Sequence, residues 1–102
     1  MTYRVVWAFE VRPEMAALFE RTYGADGDWA RLFRSARGYV GTELFRSVDT
    51  PGRYLTIDDW ESLAAYEIFR ARSAAQYAEL DGRCNELTES ERLMWAGDAN
   101  GG

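Results

Sequence analysis

Large apolar side chains fall at every second position from Tyr3 through Val5, Trp7 and Phe9 to Val11. That period of two predicts a strand with these residues on one face. Val6 and Ala8 make its other face partly apolar, so both faces are expected to be covered. From Pro13 the period changes. Proline suits a first helical turn, and Met15, Leu18, Phe19 and Thr22 follow at helical spacing up to a helix-ending Gly24. A short acidic link, 25–28, leads to Asp28, a suitable cap for a second helix with Trp29, Leu32, Phe33 and Ala36 as its stripe.

Gly38 breaks that stripe. Residues 39–48 alternate, Asp49-Thr50-Pro51-Gly52 is a turn signal, and 53–60 alternate again, which predicts a hairpin over 39–60. A helical region follows over 62–85, broken near Ser73, with Leu63, Tyr66, Phe69, Tyr77, Leu80 and Cys84 as apolar positions. A last strand is expected near 90–97, then a frayed polar tail, 98–102. The order β-α-α-β-β-α-β fits an α+β, ferredoxin-like split β-α-β sheet, with four antiparallel strands and helices on one face. One domain spans 1–102, with no internal linker. The uncovered face would carry Val6, Ala8, Leu55 and Ile57, and an apolar sheet face in water marks an interaction surface. Packing of two such faces predicts a homodimer with a barrel-like core.

Composition narrows the chemistry. The 102 residues are 47% hydrophobic and 15% aromatic, enough for a packed core. Twelve basic residues, all Arg, face 17 acidic ones for a net charge of −5, a poor balance for nucleic acid. Histidine is absent, which removes Ser–His and Cys–His nucleophiles, His-ligated zinc and proximal-histidine haem. Cys84 is the only cysteine, so no internal disulfide forms. With no signal-like leader and no apolar run of roughly 20 residues, a cytoplasmic, non-membrane protein is expected.

The segments GADGDWARLF (24–33), GYVGTEL (38–44) and RYLTIDDWES…AY (53–66) resemble the antibiotic biosynthesis monooxygenase domain of the dimeric α+β barrel superfamily. The resemblance covers about residues 3–97. It implies oxidation of a small phenolic, quinol or anthrone-like compound by O₂ with no metal, flavin or other cofactor. It implies a pocket between sheet and helices, where Phe19, Trp29, Phe33 and Asp58 are the expected substrate contacts. It also implies a catalytic trio: an amide side chain, a Trp four positions later and a Tyr six beyond that. Trp60 and Tyr66 match, whereas Thr56 stands at the amide position and offers one shorter hydroxyl.

Thr56, Asp58 and Trp60 share one strand face by alternation, and Tyr66 falls on the first turns of the next helix. A phenolate can pass an electron to O₂, so the protein need only bind the anion, orient it and exclude water. Trp60 would supply a flat wall and an N–H, Tyr66 a hydrogen bond or proton relay. Each also reads as ordinary packing: Trp60 as a core plug, Tyr66 as a helix residue on the sheet, Thr56 as a strand former. Asp58 and Asp59 alternate to opposite faces, which argues against a shared metal. Glu43 reads as a solvated or Arg-paired carboxylate, Trp7, Trp29 and Trp95 as core or interface, and Cys84 as a small helix hydrophobe. Two other functions compete with the oxygenase: a cyclase, isomerase or decarboxylase of the same superfamily, and a non-catalytic dimeric domain that binds a small ligand. The oxygenase is expected to need a closed apolar pocket lined by both Trp60 and Tyr66, whereas a carboxylate such as Glu43 or Asp58 inside the cavity with a raised pKa would favour general base work and the cyclase, isomerase or decarboxylase.

Overall fold

Strand β1 (Thr2–Val11) lies inside a four-stranded antiparallel sheet of order β2-β3-β1-β4 in the computed structural model, which describes residues 2–99. The other strands are β2 (Tyr39–Arg46), β3 (Arg53–Trp60) and β4 (Thr88–Ala99). A 3₁₀ turn at Pro13–Met15 leads into α1 (Ala16–Tyr23), and α2 (Asp28–Phe33) follows it. Helices α3 (Leu63–Arg72) and α4 (Ala74–Cys84) meet at Ser73, where the helical region was expected to break. Ser62 caps α3 by accepting from the Ala65 amide at 3.1 Å. This is the α+β, ferredoxin-like architecture expected, with the helices on one sheet face.

Several boundaries differ from expectation. Asp28 is the first residue of α2 rather than its cap; Gly27 holds the cap position and no side chain bonds there. Helix α2 stops at Phe33, short of Ala36, because the chain tightens: Ser35 Oγ donates to the Leu32 carbonyl at 2.6 Å and the Ala36 amide to Phe33 at 3.0 Å. Strand β2 ends at Arg46, and Val48 lies out in solvent. Asp98 and Ala99, expected in a frayed tail, are strand residues paired with Tyr3 and Thr2. The rest of that tail, 100–102, lies outside the described residues. Gly38 joins α2 to β2 at φ +88°, and a Cβ there would stand 2.6 Å from the Ala65 Cβ.

Besides a register shift between Glu10 and Val11, two bulges set which side chains face the helices. Tyr39 pairs with Trp60 and Gly41 with Asp59, which leaves Val40 as an extra residue. Tyr39 and Thr42 therefore share the helix face although three apart. In β4, Val6 pairs with Trp95 and Trp7 with Leu93, so Met94 is the extra residue and Trp95 turns to the open face. The helix face carries Val5, Phe9, Val11, Tyr54 and Trp60, all buried. Phe19 stacks on Tyr23 at 4.2 Å and meets Phe9 at 5.2 Å; Trp60 contacts Phe33, Tyr39, Tyr66 and Phe69 with centroids 5.1–5.5 Å apart.

The opposite face has no covering layer among the described residues. Its register aligns Ile57, Val6 and Trp95 in one row and Phe45, Leu55 and Ala8 in the next. Trp95 is 59% exposed and Phe45 45%. Ion pairs flank this apolar centre on both sides: Arg4 with Asp59 at 2.8 and 3.0 Å, and Arg53 with Glu10 at 3.0 Å. Among the described residues no helix is long and apolar enough to cross a membrane.

Candidate active site

A cavity of about 240 Å³ lies between the helix face of the sheet and the helices. Its floor is built by all four strands: Trp7 and Phe9 from β1, Thr42 from β2, Thr56 and Asp58 from β3, and Glu91 from β4. Its roof comes from Tyr23, Trp29 and Phe33, with Arg70, Tyr77 and Asp81. The mix of aromatic walls with a few converging polar groups is that of a small-molecule site.

Period-two alternation in β3 delivers Thr56 and Asp58 to the floor together. Asp58 is 9% exposed and accepts a hydrogen bond from Thr42 Oγ1 at 2.7 Å. Thr42 Oγ1 in turn lies 2.6 Å from the Tyr39 hydroxyl. With the Thr42 proton given to Asp58, Tyr39 must be the donor of the second bond, so the chain runs Tyr39 to Thr42 to Asp58. Burial pushes the Asp58 carboxyl up to about 6; the Thr42 bond opposes this and the Asp59 charge adds to it. A carboxyl that titrates near 6 in an aromatic cavity is suited to general base work at neutral pH.

The expected site residues divide. Thr56, Asp58, Trp29 and Phe33 line the cavity. Trp60, Tyr66 and Phe19 do not. Trp60 is fully buried behind Phe33, at 5.5 Å between ring centroids, and its indole N–H has no acceptor. Tyr66 packs on Tyr3 at 5.5 Å, and its hydroxyl accepts from Arg70 Nη1 at 3.0 Å. Phe19 is enclosed by Phe9, Tyr23 and Tyr54. The buried indole N–H of Trp29 lies by the Tyr23 hydroxyl and the Cys84 thiol.

The reading of the sequence missed Phe9, Tyr23, Thr42, Arg70, Tyr77, Asp81 and Glu91 as site residues, and it took Trp7 as core or interface where Trp7 lines the cavity. Thr42 reaches Asp58 only through the β2–β3 register, for which Gly41 beside β-branched Val40 was the one local hint of a bulge. The Arg70 guanidinium sits 3.8 Å above the Tyr77 ring. An arginine and a tyrosine seven residues apart gave no sign of that across the break at Ser73. Glu91 pairs with Phe9 across the β1–β4 ladder, and this register alone brings it to the mouth. No group of three or more metal-ligand side chains converges among the described residues.

The model of the family described as antibiotic biosynthesis monooxygenase matches residues 2–79. Among solved structures, SnoaB, a cofactor-independent oxygenase from Streptomyces nogalater, is 22% identical, with 99% of this chain and 98% of that chain covered and a TM-score of 0.65. A proposed antibiotic biosynthesis monooxygenase from Bordetella bronchiseptica is 26% identical over 91% and 92% of the two chains, with a TM-score of 0.69. Another, from Nitrosomonas europaea, is 14% identical over 98% and 92%, with a TM-score of 0.72. The likenesses at 22% and 14% speak for the fold alone. No curated protein matches the chain.

Proposed function

The chain belongs to the antibiotic biosynthesis monooxygenase family, and on that footing we propose that it oxidises a small phenolic or anthrone-like compound with O₂, using Asp58 as the base. The observation that carries this reading is the buried Asp58 carboxylate on the floor of an aromatic cavity. Asp58 takes an acidic proton from the bound substrate and leaves an electron-rich anion. That anion reduces O₂ and captures it as a hydroperoxide at carbon. The O–O bond then breaks: one oxygen stays as a carbonyl, and the other leaves as water with two substrate hydrogens, both from the oxidised CH₂ of an anthrone, or one from the ring carbon and one from the hydroxyl of a phenol. The substrate supplies every electron, so the chemistry asks for no resident cofactor. In this reading Thr56, which lines the cavity, donates to the developing oxyanion, and Trp7, Trp29 and Phe33 hold the rings and exclude water.

Trp60 and Tyr66 enter this proposal one layer back. Trp60 fixes the Phe33 wall, and Tyr66 fixes Arg70 at the mouth. A second copy covering the open face completes the proposed unit, a cytoplasmic homodimer. Its apolar rows and flanking ion pairs suit a face that packs on itself.

The test is oxygen uptake with a panel of anthrones and hydroquinones. Uptake that depends on protein and falls about a hundredfold in Asp58→Asn supports the reading. Asp58 also suits a second one, since a base that abstracts a proton without O₂ makes an isomerase or cyclase. Turnover that persists under nitrogen selects that alternative. Binding without turnover selects a ligand-binding domain.

A further inference from the structure

The cavity holds more acid than base. Three carboxylates reach its surface: Asp58 on the floor, Asp81 from α4 and Glu91 from β4. One guanidinium, Arg70, stands against them, and it is already committed. Its Nη1 donates to the Tyr66 hydroxyl at 3.0 Å, and its Cζ rests 3.8 Å above the Tyr77 ring. Asp81 and Glu91 make no ion pair among the described residues. Burial and the neighbouring Asp81 charge both push the Glu91 carboxyl up, while Arg70 feels the Asp81 charge without closing an ion pair to it.

The walls between floor and mouth add to this bias. Trp7, Trp29, Phe33 and Tyr77 present aromatic rings, whose faces attract cations and give anions no compensation. The Tyr77 face is the one ring already occupied, by Arg70.

We propose that the cavity selects aromatic ligands by charge: it takes an arene that carries a protonated amine, held between Asp81 and Glu91, and rejects the same arene carrying a carboxylate. This rests on the reading of the cavity as the substrate site and adds a substrate class to it. An anionic group at this mouth meets two carboxylates against one guanidinium already engaged with Tyr66 and Tyr77, so the ranking runs cation, neutral, anion.

Three naphthol isosteres bearing an aminomethyl, a hydroxymethyl or a carboxyl group test it, titrated at pH 7.5 against the full chain. The indole N–H resonance of Trp29 is the readout, so binding is located as well as measured. The aminomethyl compound is expected to bind at least about tenfold more tightly than the carboxylate. In Asp81→Asn/Glu91→Gln that gap should shrink to about threefold while the hydroxymethyl compound keeps its affinity. A carboxylate that binds as tightly as the amine overturns the charge selection, and so does a ranking that survives the double variant. No Trp29 response to any of the three overturns the cavity as a ligand site, and the proposed function with it.

Discussion

Asp58 links stability and chemistry in one side chain. Its folded pKa is raised above the roughly 3.9 of an unfolded aspartate, so the fold favours the protonated form. Above about pH 6 the burial penalty is fully present, and it disappears as pH falls towards 4. Asp58→Asn is therefore expected to stabilise the protein at pH 7.5 by on the order of 1–3 kcal/mol and to flatten this part of its pH dependence. Urea unfolding at pH 5 and pH 7.5 measures both, and a variant less stable at pH 7.5 contradicts the assignment. Thr42 holds the same carboxylate down by donating to it. Thr42→Val should move the acid limb of kcat/KM about one pH unit higher, read from a pH–rate profile; an unmoved limb removes Thr42 from that role. Thr56 and Asp58 were legible in the sequence because alternation within one strand is local. Thr42, Glu91 and Arg70 were not, because each meets the cavity through a partner on another element.

The elements themselves were mostly legible. Glycine and proline punctuation marked the hairpin, and helical spacing marked α1 and the pair α3 and α4. What escaped was set by neighbours. The last strand was expected over 90–97, and pairing with β1 carries it further, from Thr88 to Ala99, through polar residues that their own pattern does not mark. The bulges at Val40 and Met94 are likewise ladder properties, yet one of them brings Tyr39 to Thr42 and the other turns Trp95 outward. The α2–β2 junction shows how tightly an element can be placed. Gly38 has a positive φ, accepts from the Glu61 amide at 2.7 Å and faces Ala65 with no room for a Cβ. Gly38→Ala is expected to cost roughly 2–3 kcal/mol, seen as a lower midpoint in thermal unfolding. An unchanged midpoint would mean that the junction relaxes freely.

At the scale of the molecule, one sheet face builds the cavity and the other is uncovered among the described residues, where the proposed second copy would pack. Ile57 sits in the centre of that second face, between Glu43 and Val6. Ile57→Arg should halve the mass measured by sedimentation, from twice the 11.7 kDa chain to the single chain, with the secondary structure kept. A wild-type protein that sediments at 11.7 kDa would remove the dimer. The sheet order has a kinetic side as well. β1 is an interior strand, but one of its neighbours is β4, and Thr2 pairs with Ala99, so its ladder joins nearly the two ends of the described chain. Such a non-local closure comes slowly in folding, and until it forms β1 presents a bare apolar edge open to misassociation. Glu91 travels with β4, so the mouth of the cavity is finished by this same late step. A molecule that recognises the finished mouth binds only chains whose ladder has closed, and during refolding its capture times the arrival of the last strand.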